Sequence, residues 1–178
     1  MKGIVQELAK VRYLKRIVVA LGRATFAEYQ HAQSFFKDFP IPVTFLWIDS
    51  EPIQALLQVL EKNGLSPGGD GKGRSCWLSY GYLLATEECE VIALHDCDIV
   101  NYSRELLARL CYPVTNPNLG FEFCKGFYAR VSTRMHGRVT RLFMTPLIRA
   151  MDSMAMGVPF LKFLDSFRYP LAGEFAMR

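Results

Sequence analysis

The sequence lacks the features that define several large classes of protein. No apolar run approaches the roughly 18 to 20 residues that a helix needs to cross a bilayer, and the first residues lack the basic-then-apolar layout of a secretory signal peptide. No internal repeat or low-complexity tract is present. Because 51% of the 178 residues are hydrophobic, intrinsic disorder is excluded as well. We therefore expect a cytoplasmic globular protein with no transmembrane segment.

The cysteines lack the spacing of a metal site or a disulfide framework. There are five, an odd number, and no two of them form a C-x-x-C pair. We therefore predict that all five are reduced residues of the core. They are Cys76, Cys89, Cys97, Cys111 and Cys124.

Acidic residues are scarce in one part of the chain. Residues 1–100 carry 10 basic and 12 acidic side chains, whereas residues 101–178 carry 11 and 5. The stretch between Phe123 and Met151 has no acidic residue but contains Lys125, Arg130, Arg134, Arg138, Arg141 and Arg149. It indicates either a solvated basic face or a site for a phosphorylated acceptor. We do not expect nucleic acid as the partner, because the net charge is only +4 and the aromatic residues follow core-like spacing.

Short apolar runs alternate with helical patterns through the first 110 residues. The predicted strands are 17–21, 43–48 and 91–94, and the predicted helices are 1–16, 26–39, 52–62, 75–86 and 104–110. This alternation predicts an α/β fold with a mainly parallel sheet flanked by helices. In such folds, ligands bind beyond the carboxyl ends of the strands.

From residue 111 the pattern changes. A turn-rich stretch around Pro113 and Pro117 precedes a weakly alternating strand at 121–131. Helices are predicted at 138–144, at 146–156 with Thr145 as its cap, and at 160–167. We therefore divide the chain into 1–110 and 111–178, as two parts of one domain.

Two carboxylates, Asp96 and Asp98, directly follow the predicted strand 91–94. In extended backbone, residues two apart point to the same side, so these side chains would converge. A cation is the simplest relief of their mutual repulsion, and oxygen ligands with open positions suit Mg²⁺ or Mn²⁺ that carries a diphosphate. His95 points the other way and is expected to be packed. A solvated turn is the alternative interpretation.

The segment Gly71-Lys72-Gly73 is a second candidate. Its glycines let backbone N–H groups and the lysine ammonium approach an anion closely. It is not a P-loop, which would need Gly at position 66, where this chain has Ser66. Together with the two carboxylates, it predicts a diphosphate held between a lysine and a metal. An ordinary flexible loop is the alternative.

Two further residues lie at turns. Gly137, before a predicted helix, would present free N–H groups to a phosphate. Glu174, in a glycine turn between apolar residues, either orients a hydroxyl nucleophile or caps a helix.

In this order the residues resemble a known family, the glucosyl-3-phosphoglycerate synthases. The segments that carry the resemblance are Gly71-Lys72-Gly73, Asp96-Cys97-Asp98, Lys125-Gly126-Phe127-Tyr128, Gly137-Arg138-Val139-Thr140 and Leu171-Ala172-Gly173-Glu174. The resemblance implies a retaining glycosyltransferase with the GT-A (Rossmann-like) nucleotide-sugar-binding fold. Residues 1–110 would then bind the nucleotide sugar, and residues 111–178 would bind the acceptor.

The resemblance also implies roles for individual residues. Lys72 would contact the donor, Asp49 would lie near its base and Asp96 near its ribose. The remaining donor-binding positions are Gly22, Gly71, Gly73 and Cys97. Asp98 would hold the metal, and Asp98 and Glu174 are the candidate catalytic residues. The acceptor's phosphate would lie against Gly137, Arg138 and Thr140.

The implied activity moves a hexose, glucose from UDP-glucose, to 3-phosphoglycerate or a related phosphorylated small acid. The acceptor's 2-hydroxyl would attack the anomeric carbon on the face that the diphosphate leaves, while Mg²⁺ or Mn²⁺ neutralises the departing charge. The alternatives are a mannosyl donor or lipid-phosphate acceptor, a non-catalytic nucleotide-sugar-binding module, and an RNA-binding protein. A homodimer is compatible with each.

The sequence departs from the family's pattern in three places. Arg23 lies in a segment, 21–24, where the family often has a proline- and acid-rich donor loop. Arg141 stands where an acidic residue is familiar. The family continues beyond the position of Arg178, with further helices and a histidine that completes the metal site. We therefore expect an amino-terminal, carboxy-terminally truncated portion of the catalytic unit.

Overall fold

A computed structural model describes residues 2–127, 137–154 and 157–178. Within them the chain forms two compact units, residues 4–90 and 91–178, each with its own sheet and core. This division reflects contacts within the chain. The predicted division at residue 110 is a different one, since it separates donor binding from acceptor binding, and it stays a prediction.

The first unit alternates helices and strands as the sequence pattern predicted. Its elements are α1 (Lys2–Leu8), β1 (Ile17–Leu21), α2 (Phe26–Phe35), β2 (Val43–Trp47), α3 (Glu51–Lys62) and α4 (Lys72–Thr86). Strands β1 and β2 pair in parallel, with Ile17 opposite Val43 and Leu21 opposite Trp47. Their carboxyl ends therefore lie side by side, which brings the residues after each strand to one edge.

The core of the first unit lies where α3 and α4 meet the end of β2. Ile48, Leu57 and Leu78 are buried together, with Leu46 and Ile53 packed against them. The apolar spacing that predicted α3 is the spacing that produces this buried face. The predicted helix 1–16 is wrong beyond Leu8, because the chain turns there before β1.

The second unit contains an antiparallel sheet. Its elements are β3 (Ile92–Leu94), α5 (Arg104–Thr115), β4 (Phe123–Lys125), a π-helical turn (Thr140–Met144), α6 (Thr145–Met154), α7 (Pro159–Ser166) and β5 (Phe175–Met177). Strand β5 lies between β3 and β4 and pairs antiparallel with both. Ala176 is fully buried there against Leu110 and Val114 of α5.

The mainly parallel sheet that we predicted is therefore wrong for the described residues, in which one strand pairing is parallel and two are antiparallel. The α/β class and the parallel pairing of the first two strands are confirmed. The neighbour of β3 in its sheet is β5, an antiparallel strand of three residues that is too short to carry a sequence pattern.

At two helix boundaries in the second unit, tertiary packing outweighs the local signals. Helix α5 continues through Pro113 to Thr115, where burial of Val114 offsets the missing backbone donor. Thr145 does not cap α6, because the chain arrives already helical from the π-helical turn and the Thr145 N–H donates to the Thr140 carbonyl. Pro146, with no N–H, favours this local change of hydrogen-bond register.

The cysteines are all free thiols, as predicted. Four are half-buried, whereas Cys97 is exposed in the turn after β3, so its assignment to the core is wrong. A bilayer crossing would need a longer and more apolar helix than any that the described residues form.

Helix α2 begins with a capping box that the sequence predicted. The Thr25 hydroxyl accepts from the Glu28 N–H at 3.3 Å, and the Glu28 carboxylate accepts from the Thr25 N–H at 2.8 Å. Hydrogen bonds from the Thr25 backbone and side chain hold the pKa of Glu28 below its ordinary value.

We predict that Thr25→Ala lowers the free energy of unfolding by about 1 kcal/mol, and that Thr25→Ser restores it. Because the folded pKa of Glu28 is depressed, the contribution of its carboxylate to the cap is complete above the ordinary glutamate pKa and is lost as the pH falls through the folded pKa. Urea unfolding followed by tryptophan fluorescence measures this, since Trp47 stacks on Tyr29 of α2. Equal stability of the alanine and serine variants at neutral pH would contradict the assignment.

Candidate functional site

In the first unit, Asp49 ties the loop after β1 to the end of β2. Its Oδ2 accepts from the Ala24 N–H at 3.0 Å. The Trp47 indole N–H donates to the Ala24 carbonyl at 2.7 Å. Because β1 and β2 are parallel neighbours, their following residues form one shared edge. Gly22 and Asp49, both predicted to face the donor, are therefore held together.

The glycine segment opens α4 three residues earlier than predicted. Gly71 is the N-cap at φ +152°, a backbone conformation that favours glycine, and Lys72 and Gly73 form the first turn. Gly71 has no side chain that could cap this end, and the start of a helix favours the binding of an anion. A Cβ added to Gly22 would lie 3.5 Å from the Ser75 Oγ, which places the loop after β1 beside this turn.

Three charged residues at this edge, Arg23, Asp70 and Arg74, were not predicted from the sequence to belong to the site. The Arg23 Nε donates to the Asp70 Oδ2 at 2.8 Å, so the loop after β1 is joined to the glycine loop. The Arg74 Nη2 donates to the Gly68 carbonyl at 2.7 Å. Charge next to a glycine-rich segment was the available signal, and Arg23 stood out only as a departure from the family's pattern.

In the second unit, Asp96 and Asp98 follow β3, but not in extended backbone. The chain turns at Cys97 and Asp98, so the strand alternation that we used to place both carboxylates on one side does not apply. Asp96 is half-buried, whereas Cys97 and Asp98 are exposed. The convergence of the two carboxylates stays a prediction.

Glu174 lies at the end of the antiparallel sheet, directly before β5. Leu94 and Lys125 both pair with Phe175 in the register, so the residues after β3 and β4 flank Glu174. Only 1% of Glu174 is exposed. Its carbonyl accepts from the Gly126 N–H at 2.8 Å. Glu174 leads directly into a strand, so the alternative that it caps a helix is wrong.

His95 is a buried imidazole at the same end of the sheet. Burial lowers its pKa below the ordinary histidine value, although the carboxylates of Glu174 and Asp96 oppose this effect. The ring packs edge-on against Tyr102, with centroids 5.4 Å apart. Within the described residues, neither ring nitrogen has a hydrogen-bond partner. The expectation that His95 is packed is confirmed.

Lys125 and Gly126 fix the segment that precedes Glu174. The Lys125 Nζ donates to the Ala172 carbonyl at 2.7 Å and lies 5.5 Å from the centre of the Phe175 ring. A Cβ at Gly126 would lie 3.1 Å from the Glu174 carbonyl oxygen, so only glycine allows this approach without a shift. The sequence offered both residues within a family-like segment, but no local pattern indicated their structural role.

The predicted acceptor residues lie at the start of the helical segment that contains the π-helical turn. Gly137 has φ +83°, and both Gly137 and Arg138 are exposed. Thr140 is buried, and its hydroxyl has no hydrogen-bond partner among the described residues. Arg130 and Arg134, in the predicted basic stretch, lie outside the described residues. Arg149 pairs with Asp165 at 3.1 Å, which is a solvated surface contact.

A cation at the carboxylates of Asp96 and Asp98 would need further ligands from a substrate. In the parts of the chain that the structure describes, no three His, Cys, Asp or Glu side chains cluster as a protein-only metal site would need. Mg²⁺ is commonly held by one or two carboxylates together with substrate phosphates and water. Asp98, exposed beside the half-buried Asp96, meets this description.

Comparison with known proteins finds close sequence similarity. The chain is 51% identical over 176 residues to a glucosyl-3-phosphoglycerate synthase from Persephonella marina. It is 40% identical over 181 aligned residues to a glucosyl-3-phosphoglycerate synthase from Methanococcoides burtonii. Both alignments cover 99% of this chain.

The chain spans only 44% of the length of each of these relatives. No family model matches it, and no solved structure matches it. The similarity therefore supports the predicted resemblance over the whole length of this chain, which corresponds to less than half of each relative.

We predict that Gly126→Ala lowers the free energy of unfolding by about 1 to 3 kcal/mol, because the new methyl group would press on the Glu174 backbone. Gly81→Ala is the matched control. Gly81 lies inside α4 with open space around the Cβ position, so alanine there is expected to stabilise by about 0.5 to 1 kcal/mol. Urea unfolding followed by circular dichroism measures both variants. An unchanged or raised stability of Gly126→Ala would contradict the close approach.

Proposed function

We propose that this chain carries the nucleotide-sugar-binding and catalytic part of a glucosyl-3-phosphoglycerate synthase. The reaction transfers a glucosyl group from a nucleotide sugar, UDP-glucose in our assignment, to 3-phosphoglycerate. The observation that carries the proposal is the 51% identity to a relative of this name over 99% of the chain. The small parallel sheet with helices is compatible with a GT-A fold, which we include in the proposal.

The first unit supplies the groups that suit a nucleotide diphosphate. The uncapped start of α4 offers N–H groups, and Lys72 adds a positive charge in its first turn. The loop after β1 contributes Gly22, next to that turn. Asp49 shapes this loop through its hydrogen bond to Ala24, and we assign it to the base side of the donor.

The second unit supplies carboxylates of different exposure. We assign the half-buried Asp96 to the donor ribose and the exposed Asp98 to a divalent cation, Mg²⁺ or Mn²⁺. Such a cation, when bound, neutralises charge on the departing diphosphate. Cys97 lies between the two carboxylates in the exposed turn, and we include it among the donor-binding residues.

We assign Glu174 to the reacting end of the donor and acceptor. The Glu174 backbone is held against Gly126, which fixes the point from which the carboxylate extends. Because Glu174 is buried, contact with the acceptor requires a local shift, after which the carboxylate can accept a hydrogen bond from the acceptor's 2-hydroxyl and orient it. That oxygen then bonds to the anomeric carbon as the bond to the diphosphate breaks, and the hydroxyl proton passes to the departing diphosphate.

The acceptor's phosphate and carboxylate require cations and N–H groups. The exposed Arg138 and the Gly137 turn, with its positive φ, match this chemistry. Thr140 is buried in the π-helical turn, so we assign it to the support of this segment and to contact with the phosphate only through a local shift. Because π-helical turns are frequent at functional sites, this segment is a reasonable place for the acceptor.

We predict that Asp98→Asn reduces glucosyl transfer by at least about 100-fold, because the cation that neutralises the leaving group loses its ligand.

We predict that Arg138→Ala raises the KM for 3-phosphoglycerate about tenfold or more and leaves the KM for the donor within a factor of about two. The assay detects glucosyl-3-phosphoglycerate by mass spectrometry, with UDP-glucose or GDP-glucose and with Mg²⁺ or Mn²⁺. Glu105→Gln, an exposed helix-surface change, is the matched control.

The outcomes separate the candidate functions. Product formed with a mannosyl donor or a lipid phosphate only would overturn the substrate assignment. Metal-dependent binding of the donor without any product would indicate a binding module instead of an enzyme. Salt-sensitive binding of RNA without metal would replace the proposal altogether.

A further inference from the structure

Arg23 adopts a backbone conformation that is uncommon for a residue with a Cβ. Its φ is +57°, in the left-handed region. The neighbouring bonds hold it there, because the Ala24 N–H donates to Asp49 and the Trp47 indole donates to the Ala24 carbonyl. The loop thus presents the Arg23 side chain toward the glycine loop that opens α4.

The partner of Arg23 is a carboxylate in that glycine loop. The Arg23 Nε lies 2.8 Å from the Asp70 Oδ2. The hydrogen bond from Arg23 chiefly holds the pKa of Asp70 below its ordinary value, and the charge of Arg74 and the Gly71 N–H act in the same direction. A carboxylate thus lies where two guanidinium groups and a backbone N–H act together.

Arg74 can donate a further hydrogen bond at this place. Its Nη2 donates to the Gly68 carbonyl, whereas its Nε is buried and, among the described residues, has no hydrogen-bond partner. The Arg23–Asp70 pair, in contrast, is open to solvent, with 76% of the Arg23 side chain and 46% of the Asp70 side chain exposed. An exposed ion pair of this kind is weak and exchanges partners readily.

We propose that the Asp70 carboxylate competes with the donor's diphosphate for Arg23. When the donor binds, Arg23 leaves Asp70 and pairs with the diphosphate. The proposal rests on the proposed function for the identity of the anion. It assigns Arg23 as a donor-binding residue in the segment where the sequence departs from the family's pattern. By competing for Arg23, the Asp70 carboxylate lowers the affinity for the donor.

The physical reason is that the two anions need the same positive groups. The diphosphate would lie at the first turn of α4, which begins two residues after Asp70. With Asp70 still paired to Arg23, that diphosphate would meet a neighbouring negative charge and a guanidinium already engaged. Release of Arg23 from Asp70 makes the guanidinium available, and its fork fits phosphate oxygens. The Asp70 charge stays beside the diphosphate and weakens its binding.

The test measures binding of UDP and of inorganic pyrophosphate by calorimetry at fixed ionic strength. We expect Asp70→Asn to bind both probes about two- to fivefold more tightly than the parent, the range expected for loss of an exposed competing pair. We expect Arg23→Gln to bind both more weakly by a similar factor. Asp38→Asn, an exposed acid of the first unit outside this loop, is the charge-matched control and should stay within a factor of about 1.5 of the parent.

The double variant separates exchange from plain repulsion. If Arg23 changes partner, the gain from Asp70→Asn shrinks in the Arg23→Gln background. A gain of the same size in both backgrounds would overturn the exchange, as would unchanged or weaker binding by Asp70→Asn. Absence of pyrophosphate binding by Asp70→Asn would also overturn it. If pyrophosphate follows the expected order but no nucleotide sugar binds, the proposed function fails and the exchange stands.

Discussion

The close approach of Gly126 to Glu174 is the contact on which the candidate site of the second unit depends. The Gly126 N–H donates to the Glu174 carbonyl, and a Cβ at position 126 would force the Glu174 backbone to shift. Strand β5 can therefore lie between β3 and β4, where its central residue Ala176 is fully buried. This placement brings the end of β3, with His95 and Asp96, beside a buried acidic residue. A small glycine-dependent contact thus determines where the catalytic candidates lie.

In the first unit, the candidate donor-binding residues are brought together by parallel strand pairing and by hydrogen bonds between loops. Parallel pairing of β1 and β2 brings their carboxyl ends together, and the Asp49 carboxylate then ties the loop after β1 to the end of β2. Ion pairing between Arg23 and Asp70 adds the glycine loop to this edge. Hydrogen bonds between loops therefore hold the polar residues that would bind a nucleotide sugar. The buried residues Ile48, Leu57 and Leu78 form the apolar core of this unit.

Strong periodic signals predicted much of the fold, and long-range pairing accounts for most of the errors. Strand β1 has the predicted bounds, and the Thr25 capping box is present, because both depend on adjacent residues. Strand β5 and the antiparallel partner of β3 could not be predicted, since a three-residue strand is defined by its neighbours. In the site, motif residues such as Lys72 were identifiable from composition and spacing. Arg23 and Gly126 were not, because their roles arise from contacts with distant residues.

The central claim is that this chain takes up a nucleotide sugar together with a divalent cation. A protein-only cluster of metal ligands is absent from the described residues, so the cation should depend on the diphosphate for part of its coordination. The most direct measurement is calorimetric titration with Mn²⁺ alone and then with UDP-glucose or GDP-glucose in its presence. We predict weak binding of Mn²⁺ alone and clearly tighter binding of one nucleotide sugar with Mn²⁺ than without it. Binding of neither nucleotide sugar by the folded chain, with or without Mn²⁺, would contradict the claim.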